Sequence, residues 1–368
     1  MDNYKYLKVF YNDKLVGTLA KTPDRLVAFE YDSVWLRDGF SISPFSLPLE
    51  KKVFLPKFEP FDGLFGIFND SLPDGWGRLL VDRLLLKNKI NPSEIDSLNR
   101  LAVVQENGMG ALTYKPEHKF ETLEQESDYD KLAQESSKIL ESQDSSNLDE
   151  LFKLGGSSGG ARPKILTKIN GEDWIIKFPS SQDPKNIGEQ EYKYSLVAKD
   201  CGINMTETQL FPSKICSGYF GIKRFDRENG KKVHMVSVSG LLETSHRLPN
   251  IDYNILMKLT LELTKNYQDI EQLYRLMCFN VFAHNRDDHS KNFSFLYDKN
   301  KKEWHLSPAY DLTYSSSFNG EHATTINGEG KNPTLNDILE VAKNIGIKEK
   351  QAKEIAIDIK NKCLSLSD

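Results

Sequence analysis

Nowhere in these 368 residues is there an apolar run approaching the roughly 18 residues a membrane-spanning helix needs. The opening stretch, MDNYKYLKVFYNDKLVG, lacks the basic-then-apolar order of a secretory signal. Neither membrane insertion nor secretion is expected. Cysteine is scarce: the four residues Cys201, Cys216, Cys278 and Cys363 show no CxxC spacing. That removes the basis for a zinc ribbon or a disulfide framework and points to a reducing cytoplasm. A basic excess is missing as well. The net charge is −5, whereas a protein that coats nucleic acid unaided relies on a dense basic face. No internal repeat at solenoid periods is present. What remains is 39% hydrophobic, 27% charged and 11% aromatic, an ordinary globular composition with length for two or three cooperating units.

The chain opens with two short strand-like runs between Tyr6 and Leu19, joined by a turn at Asn12-Asp13. An aromatic stretch leads to SLPDGWGRLLVDRLL, where Asp74 is placed to cap a helix whose Leu79, Leu80, Leu84 and Leu85 recur at helical spacing. From Lys115 to Glu150 there are eleven acidic residues against four lysines, which reads as a surface helix or linker and a boundary. Beyond it, Asn170-Gly171 between two strand-like runs is a strong two-residue hairpin signal. Residues 187–198 read as a helix and FGIKRFD as a strand ending near Asp226. After Leu256 the pattern is mainly helical, apart from a hairpin-like segment before Asp311. Strands first and helices later predict an α+β, two-lobed catalytic domain behind a small β-containing N-terminal domain.

The sharpest chemical signal is HNRDDHSKN, residues 284–292, delivered by a helix with Ile270, Leu273, Met277 and Val281 on one face. Asp287 and Asn292 stand five apart, as do the Asp and Asn of the kinase catalytic loop, where one orients the accepting hydroxyl and the other holds magnesium. A hairpin then leads to Asp311, a second oxygen ligand for a hard cation. Two other readings compete: a solvated polar turn, and a hydrolase metal site made by His284, Asp287 and His289. The latter leaves the upstream loop GGSSGGARPK, residues 155–164, without a role. Its small residues let backbone N–H groups approach phosphate oxygens. It is no Walker A sequence, since no GK[ST] follows, and alone a Gly/Ser run is more often a flexible linker. Its place between apolar, strand-like segments favours a phosphate-covering turn. Lys177 ends the strand WIIK, placed to reach α/β-phosphates, although a strand-end lysine is commonly a solvated charge. Glu191 is its candidate partner, with Glu189 competing.

These residues resemble the HipA family of type II toxin–antitoxin kinases over nearly the whole chain. LPDGWGR (72–78) is similar to the family's N-terminal signature, SSGGARPK to its P-loop and WIIKF to its nucleotide-lysine strand. IKRFDR (222–227) is similar to its interlobe hinge, HNRDDHSKNFS to its catalytic loop, and LSPAYDL to its metal-binding aspartate motif. The segment 233–240, VHMVSVSG, departs from the family pattern.

The resemblance implies a kinase core of phosphatidylinositol-kinase-like fold: an N-terminal domain over 1–115, an acidic helix or linker over 116–150, an N-lobe over 151–225 and a helical C-lobe over 226–368. It implies Asp287 as catalytic aspartate, Asn292 and Asp311 as Mg2+ ligands, and Lys177 as the phosphate-binding lysine. The ATP-contacting set comprises Ser157, Ser158, Gly159, Gly160, Ala161, Arg162 and Lys164, with His289 and the backbone near Lys223 and Phe225. Ser157, or its neighbour Ser158, is the implied autophosphorylation site, where added negative charge would displace the loop. The implied activity is Ser/Thr protein phosphorylation, possible targets being aminoacyl-tRNA synthetases. The implied restraint is a HipB-like antitoxin through which DNA is contacted. A small-molecule phosphotransferase and a nucleotide-binding co-repressor without turnover are the alternatives.

Overall fold

The computed structural model describes residues 3–104, 108–122 and 126–366. The chain divides into two compact units. One comprises Met1–Glu189, Gln209–Val236 and Gly240–Thr244, the other Gln190–Thr208, Ser237–Ser239 and Ser245–Asp368.

In the first unit, strands Tyr6–Tyr11 and Lys14–Lys21 pair antiparallel across Asn12 and Asp13. Both turn residues have positive φ, 41° and 67°, the geometry that matches the twist of a two-residue hairpin. Val27–Tyr31 and Val53–Phe54 extend the sheet on one side and Leu112–Lys115 on the other. Strand alternation turns Leu7, Val9 and Tyr11 inward. The helix Gly75–Lys87 forms at the expected place and buries Trp76, Leu80, Val81, Leu84 and Leu85.

The acidic stretch is not wholly surface. Helix Tyr129–Leu140 buries Leu132, Ala133 and Ile139, and helix Leu148–Gly155 buries Leu151, all in one core cluster with Trp76, Ile165, Trp174 and Ile176. Its composition hides an apolar face, because the buried acids are satisfied locally. Glu135 accepts from Lys138 and Ser145 at 2.5 and 2.8 Å, and Glu150 from Asn147 at 2.7 Å. Residues 123–125 of this stretch lie outside those described.

The expected hairpin joins Lys164–Ile169 to Glu172–Lys177, with Asn170 and Gly171 at φ 52° and 82°. Tyr219–Lys223 pairs along the far side of Glu172–Lys177. A correction concerns what precedes the glycine loop: LFKLG, read as strand-like, ends the helix Leu148–Gly155. Leu151 and Phe152 are buried and adjacent while Lys153 and Leu154 are partly exposed, a helical rather than alternating pattern.

The second unit contains helices Tyr253–Thr264, Tyr267–Phe282, Leu335–Ile345 and Glu349–Cys363, with a hairpin of Ser294–Asp298 and Glu303–Leu306. Ile270, Leu273, Met277 and Val281 are buried as one face of the helix that leads into residues 284–292. Among the described residues no helix is long and apolar enough to cross a membrane.

Candidate functional site

The glycine loop rests on the DGWG segment of its own unit. Asp74 occupies the N-cap position of helix Gly75–Lys87, but its side chain makes no capping bond to that helix. It accepts the Gly160 N–H at 2.5 Å instead, so the expected cap is replaced by a bond reaching across 86 residues. The Trp76 N–H donates to Gly160 O at 2.8 Å, and the Trp76 indole donates to Lys164 O at 3.2 Å. Ser157 and Ser158 are both buried, and the Ser158 hydroxyl donates to Gly155 O at 2.6 Å. Lys164 Nζ donates to Gly159 O at 2.5 Å, and Arg162 grips Asp183 with two bonds of 3.0 and 3.1 Å. Gly160 and Ala161 are exposed and Gly159 half-exposed.

Lys177 sits directly opposite Lys164 across the antiparallel pair. Opposed residues share a face of the sheet, and two like charges there are unfavourable unless negative charge lies between or beside them. The two ammonium-bearing chains therefore stand at the root of the glycine loop on one face, with Lys177 Nζ 5.6 Å from the centre of the Phe220 ring.

The hinge-like motif carries a cluster that spacing did not reveal. Asp226 is buried and accepts from Arg224 Nε and Nη2 at 2.8 and 2.7 Å and from the Gly110 N–H at 2.8 Å. Arg224 and Arg227 both donate to Gly108 O, at 2.9 and 2.8 Å. Burial would raise the Asp226 carboxyl, but the neighbouring guanidinium groups and the Gly110 amide hold it below the usual carboxylate range. Lys223 ends its strand and pairs with Glu172, and Phe225 follows within this segment.

In the second unit, residues 284–292 alternate between burial and exposure. Asn285 is buried, donating to Asn280 Oδ1 at 2.9 Å, and Asn280 in turn donates to Tyr253 Oη at 3.0 Å. Asp288 is buried and accepts from Tyr253 Oη, His322 Nδ1 and the Thr324 N–H at 3.0, 2.9 and 3.2 Å. Asp287, flanked by the buried Asn285 and Asp288, leaves its side chain 64% exposed. Asn292 turns its amide NH2 onto the Asp287 carbonyl at 2.6 Å, which leaves its oxygen as the group available to a cation. His289 caps the short helix Ser290–Asn292 through Nδ1, and its Nε2 lies 4.0 Å from Asp287 Oδ1.

Asp311 follows Tyr310, whose hydroxyl donates to Lys291 O at 2.6 Å and bonds Ser294 at 2.6 Å. The tyrosine thus fastens the segment bearing Asp311 to the loop bearing Asn292. Asp311 has φ 53°, a left-handed backbone uncommon for non-glycine residues but tolerated by aspartate better than by most. An amide oxygen and a carboxylate on tied segments suit magnesium, which takes few protein ligands and completes its shell with water and phosphate. The hydrolase-type alternative fares worse. Among the described residues no group of three or more His, Cys, Asp and Glu side chains is arranged to hold a metal ion. Burial, aided by the charges of Arg286 and His322, pushes the His284 imidazole below its usual pKa, which favours the neutral ring and does not itself count against ligation. Glu191 is buried in helix Ile187–Asp200.

Residues 7–115 match the family model of the HipA N-terminal domain, and residues 156–366 that of the HipA-like C-terminal domain. The chain belongs to the HipA family. Two curated relatives carry names of candidate kinases. Y4dM of Sinorhizobium fredii is 28% identical over 191 residues, covering 48% of this chain and 45% of that protein. A Haemophilus influenzae protein is 26% identical over 187 residues, covering 45% of this chain and 54% of its own length. The chain spans about half the length of the curated relatives it matches. Among solved structures, HipA of Shewanella oneidensis MR-1, determined with HipB and operator DNA, superposes with a TM-score of 0.69 at 18% identity, covering 98% of this chain and 90% of that one. The α+β, kinase-like HipA fold expected from the sequence is therefore the fold of this chain.

Proposed function

We propose that this HipA-family chain is an ATP- and Mg2+-dependent Ser/Thr protein kinase, the toxin of a bacterial toxin–antitoxin pair. The observation that carries the reading is the arrangement of residues 287–292. The Asp287 carboxylate is presented outward by buried neighbours, while Asn292 is locked onto the same loop with its oxygen left for a cation. Phosphoryl transfer asks little covalent chemistry of a protein, so positioning and charge are what its residues supply. Asp287 orients the acceptor hydroxyl and takes its proton. Asn292 and Asp311 hold magnesium, which neutralises charge on the phosphates when bound. Lys177, beside Lys164 at the root of the loop, holds the α/β-phosphates. Lys223, Phe225 and His289 belong to the proposed nucleotide contacts, and Glu191 is the proposed partner of Lys177.

Ser157 is the favoured autophosphorylation site, because Ser158 would have to surrender its bond to Gly155 O. A HipB-like DNA-binding antitoxin is the proposed partner, on the strength of the complex in which the Shewanella protein was solved. A cytoplasmic protein of the aminoacyl-tRNA synthetase class is the proposed substrate. The test is incubation of purified wild type and Asp287→Ala with γ-labelled ATP, magnesium and bacterial lysate. A labelled protein band with wild type alone supports the reading. Equal labelling by both proteins, or label only in soluble metabolites, refutes it.

A further inference from the structure

A carboxylate at a helix N-cap normally serves its own helix, since the first turn exposes unpaired N–H groups and the positive end of the helix dipole. Asp74 has the extended backbone of an N-cap, φ −120° and ψ 177°, yet its side chain makes no capping hydrogen bond to the helix it heads. Its Oδ1 takes the Gly160 amide at 2.5 Å. The Trp76 N–H holds the carbonyl of the same residue at 2.8 Å, so Gly160 is gripped at both its polar backbone groups.

The two glycines of DGWG make this approach possible. A Cβ on Gly75, which has φ +44°, would lie 2.4 Å from Gly160 O, and one on Gly77 would lie 2.1 Å from Ser158 O. The segment 74–77 is therefore shaped as a seat for the loop. Gly160 itself has φ +83°, and successive loop amides in such a conformation form a concavity suited to an anion. In this structure the anion at the Gly160 amide is the Asp74 carboxylate.

We propose that Asp74 is a positioning residue of the glycine loop, and that its carboxylate and a nucleotide phosphate compete for the Gly160 amide. Nucleotide entry is thereby coupled to release of the loop from residues 74–77. The inference rests on the kinase reading above. When only a fraction of molecules has the loop released, the apparent dissociation constant exceeds the intrinsic one by the inverse of that fraction.

The test compares full-length wild type, Asp74→Asn and Asp74→Ala by calorimetric titration with MgATP and by amide exchange of the 155–164 segment without nucleotide. Asp74→Asn keeps an oxygen at the same place and removes the charge. It should loosen loop protection less than Asp74→Ala does and bind MgATP about three- to tenfold more tightly. Asp74→Ala should speed exchange at Gly160 about tenfold or more and also bind more tightly. A structural role alone would give no gain in affinity. Unchanged or weaker binding by Asp74→Asn, or unaltered exchange in Asp74→Ala, overturns the proposal. Absence of MgATP binding in wild type and both variants overturns the nucleotide reading itself, while the exchange data still report whether Asp74 holds the loop.

Discussion

Asp288 and His322 share a 2.9 Å hydrogen bond in which both side chains are almost wholly buried, at 0% and 2% exposure. The adjacent Asp287 is turned to solvent. Removing one member of a buried, hydrogen-bonded pair costs about 3–5 kcal/mol, so Asp288→Ala should lower unfolding stability by that order in urea titrations. Asp287→Ala should leave stability within about 0.5 kcal/mol and abolish phosphotransfer. The opposite pattern would show that the two aspartates have been assigned the wrong way round.

The hairpin turn offers a substitution that separates stability from chemistry. Gly171 has φ +82° and nothing within 4 Å of where a Cβ would stand. The cost of Gly171→Val is therefore conformational, about 1–2 kcal/mol. Thermal unfolding should report it, and activity per folded molecule should not change.

Gly77→Ala meets a different obstacle, since its Cβ would come within 2.1 Å of a backbone carbonyl rather than open space. Either the helix or the loop must shift. A loss of about 1–3 kcal/mol with faster amide exchange over residues 155–164 is expected. Unaltered exchange would mean that the helix start moves instead.

Acid and base act on the first unit through one buried and one half-buried group with opposite signs. Burial raises the Glu243 carboxyl from 4.5 to about 7, the Gly66 N–H partly opposing it and Asp70 adding to it. Between those values the folded chain keeps a proton that the unfolded chain has lost, so stability falls as pH rises through the window. His234, whose ring bonds Ile42 O at 2.8 Å, is pushed by burial from 6.5 down to about 4. There the unfolded chain binds the proton first, so stability falls as pH drops from 6.5 toward 4. Glu243→Gln should thus stabilise above pH 7, by on the order of 1–3 kcal/mol after allowing for partial exposure. The gain should fade below pH 4.5. Urea midpoints across this range check both slopes.

Local patterns were readable and distant pairings were not. The Asn170-Gly171 turn, the apolar face of Tyr267–Phe282 and the 287–292 spacing each lie within a few turns or strand residues, where periodicity and turn chemistry act. The role of Asp74 depends on an amide 86 residues away, and local rules assigned it to the nearest helix. The helices inside the acidic stretch were masked by composition, because charge counting does not register that Glu135 and Glu150 are individually satisfied. Nothing in the local pattern distinguishes Asp288 from Asp287. Only its contacts with Tyr253, His322 and Thr324 show which of the two adjacent carboxylates faces inward.

The Arg224–Asp226–Arg227 cluster bears on how the chain is made. Gly110 and Asp226 are 116 residues apart, and ribosomes add about 5–20 residues per second. The backbone groups of Gly108 and Gly110 therefore emerge roughly 6–23 s before their partners exist. Until then this strip stays hydrated, and the earlier-made portion cannot finish its burial before residues 224–227 have been made. A nascent polypeptide stalled before residue 224 should remain protease-sensitive around 108–110, and one extended beyond 227 should not.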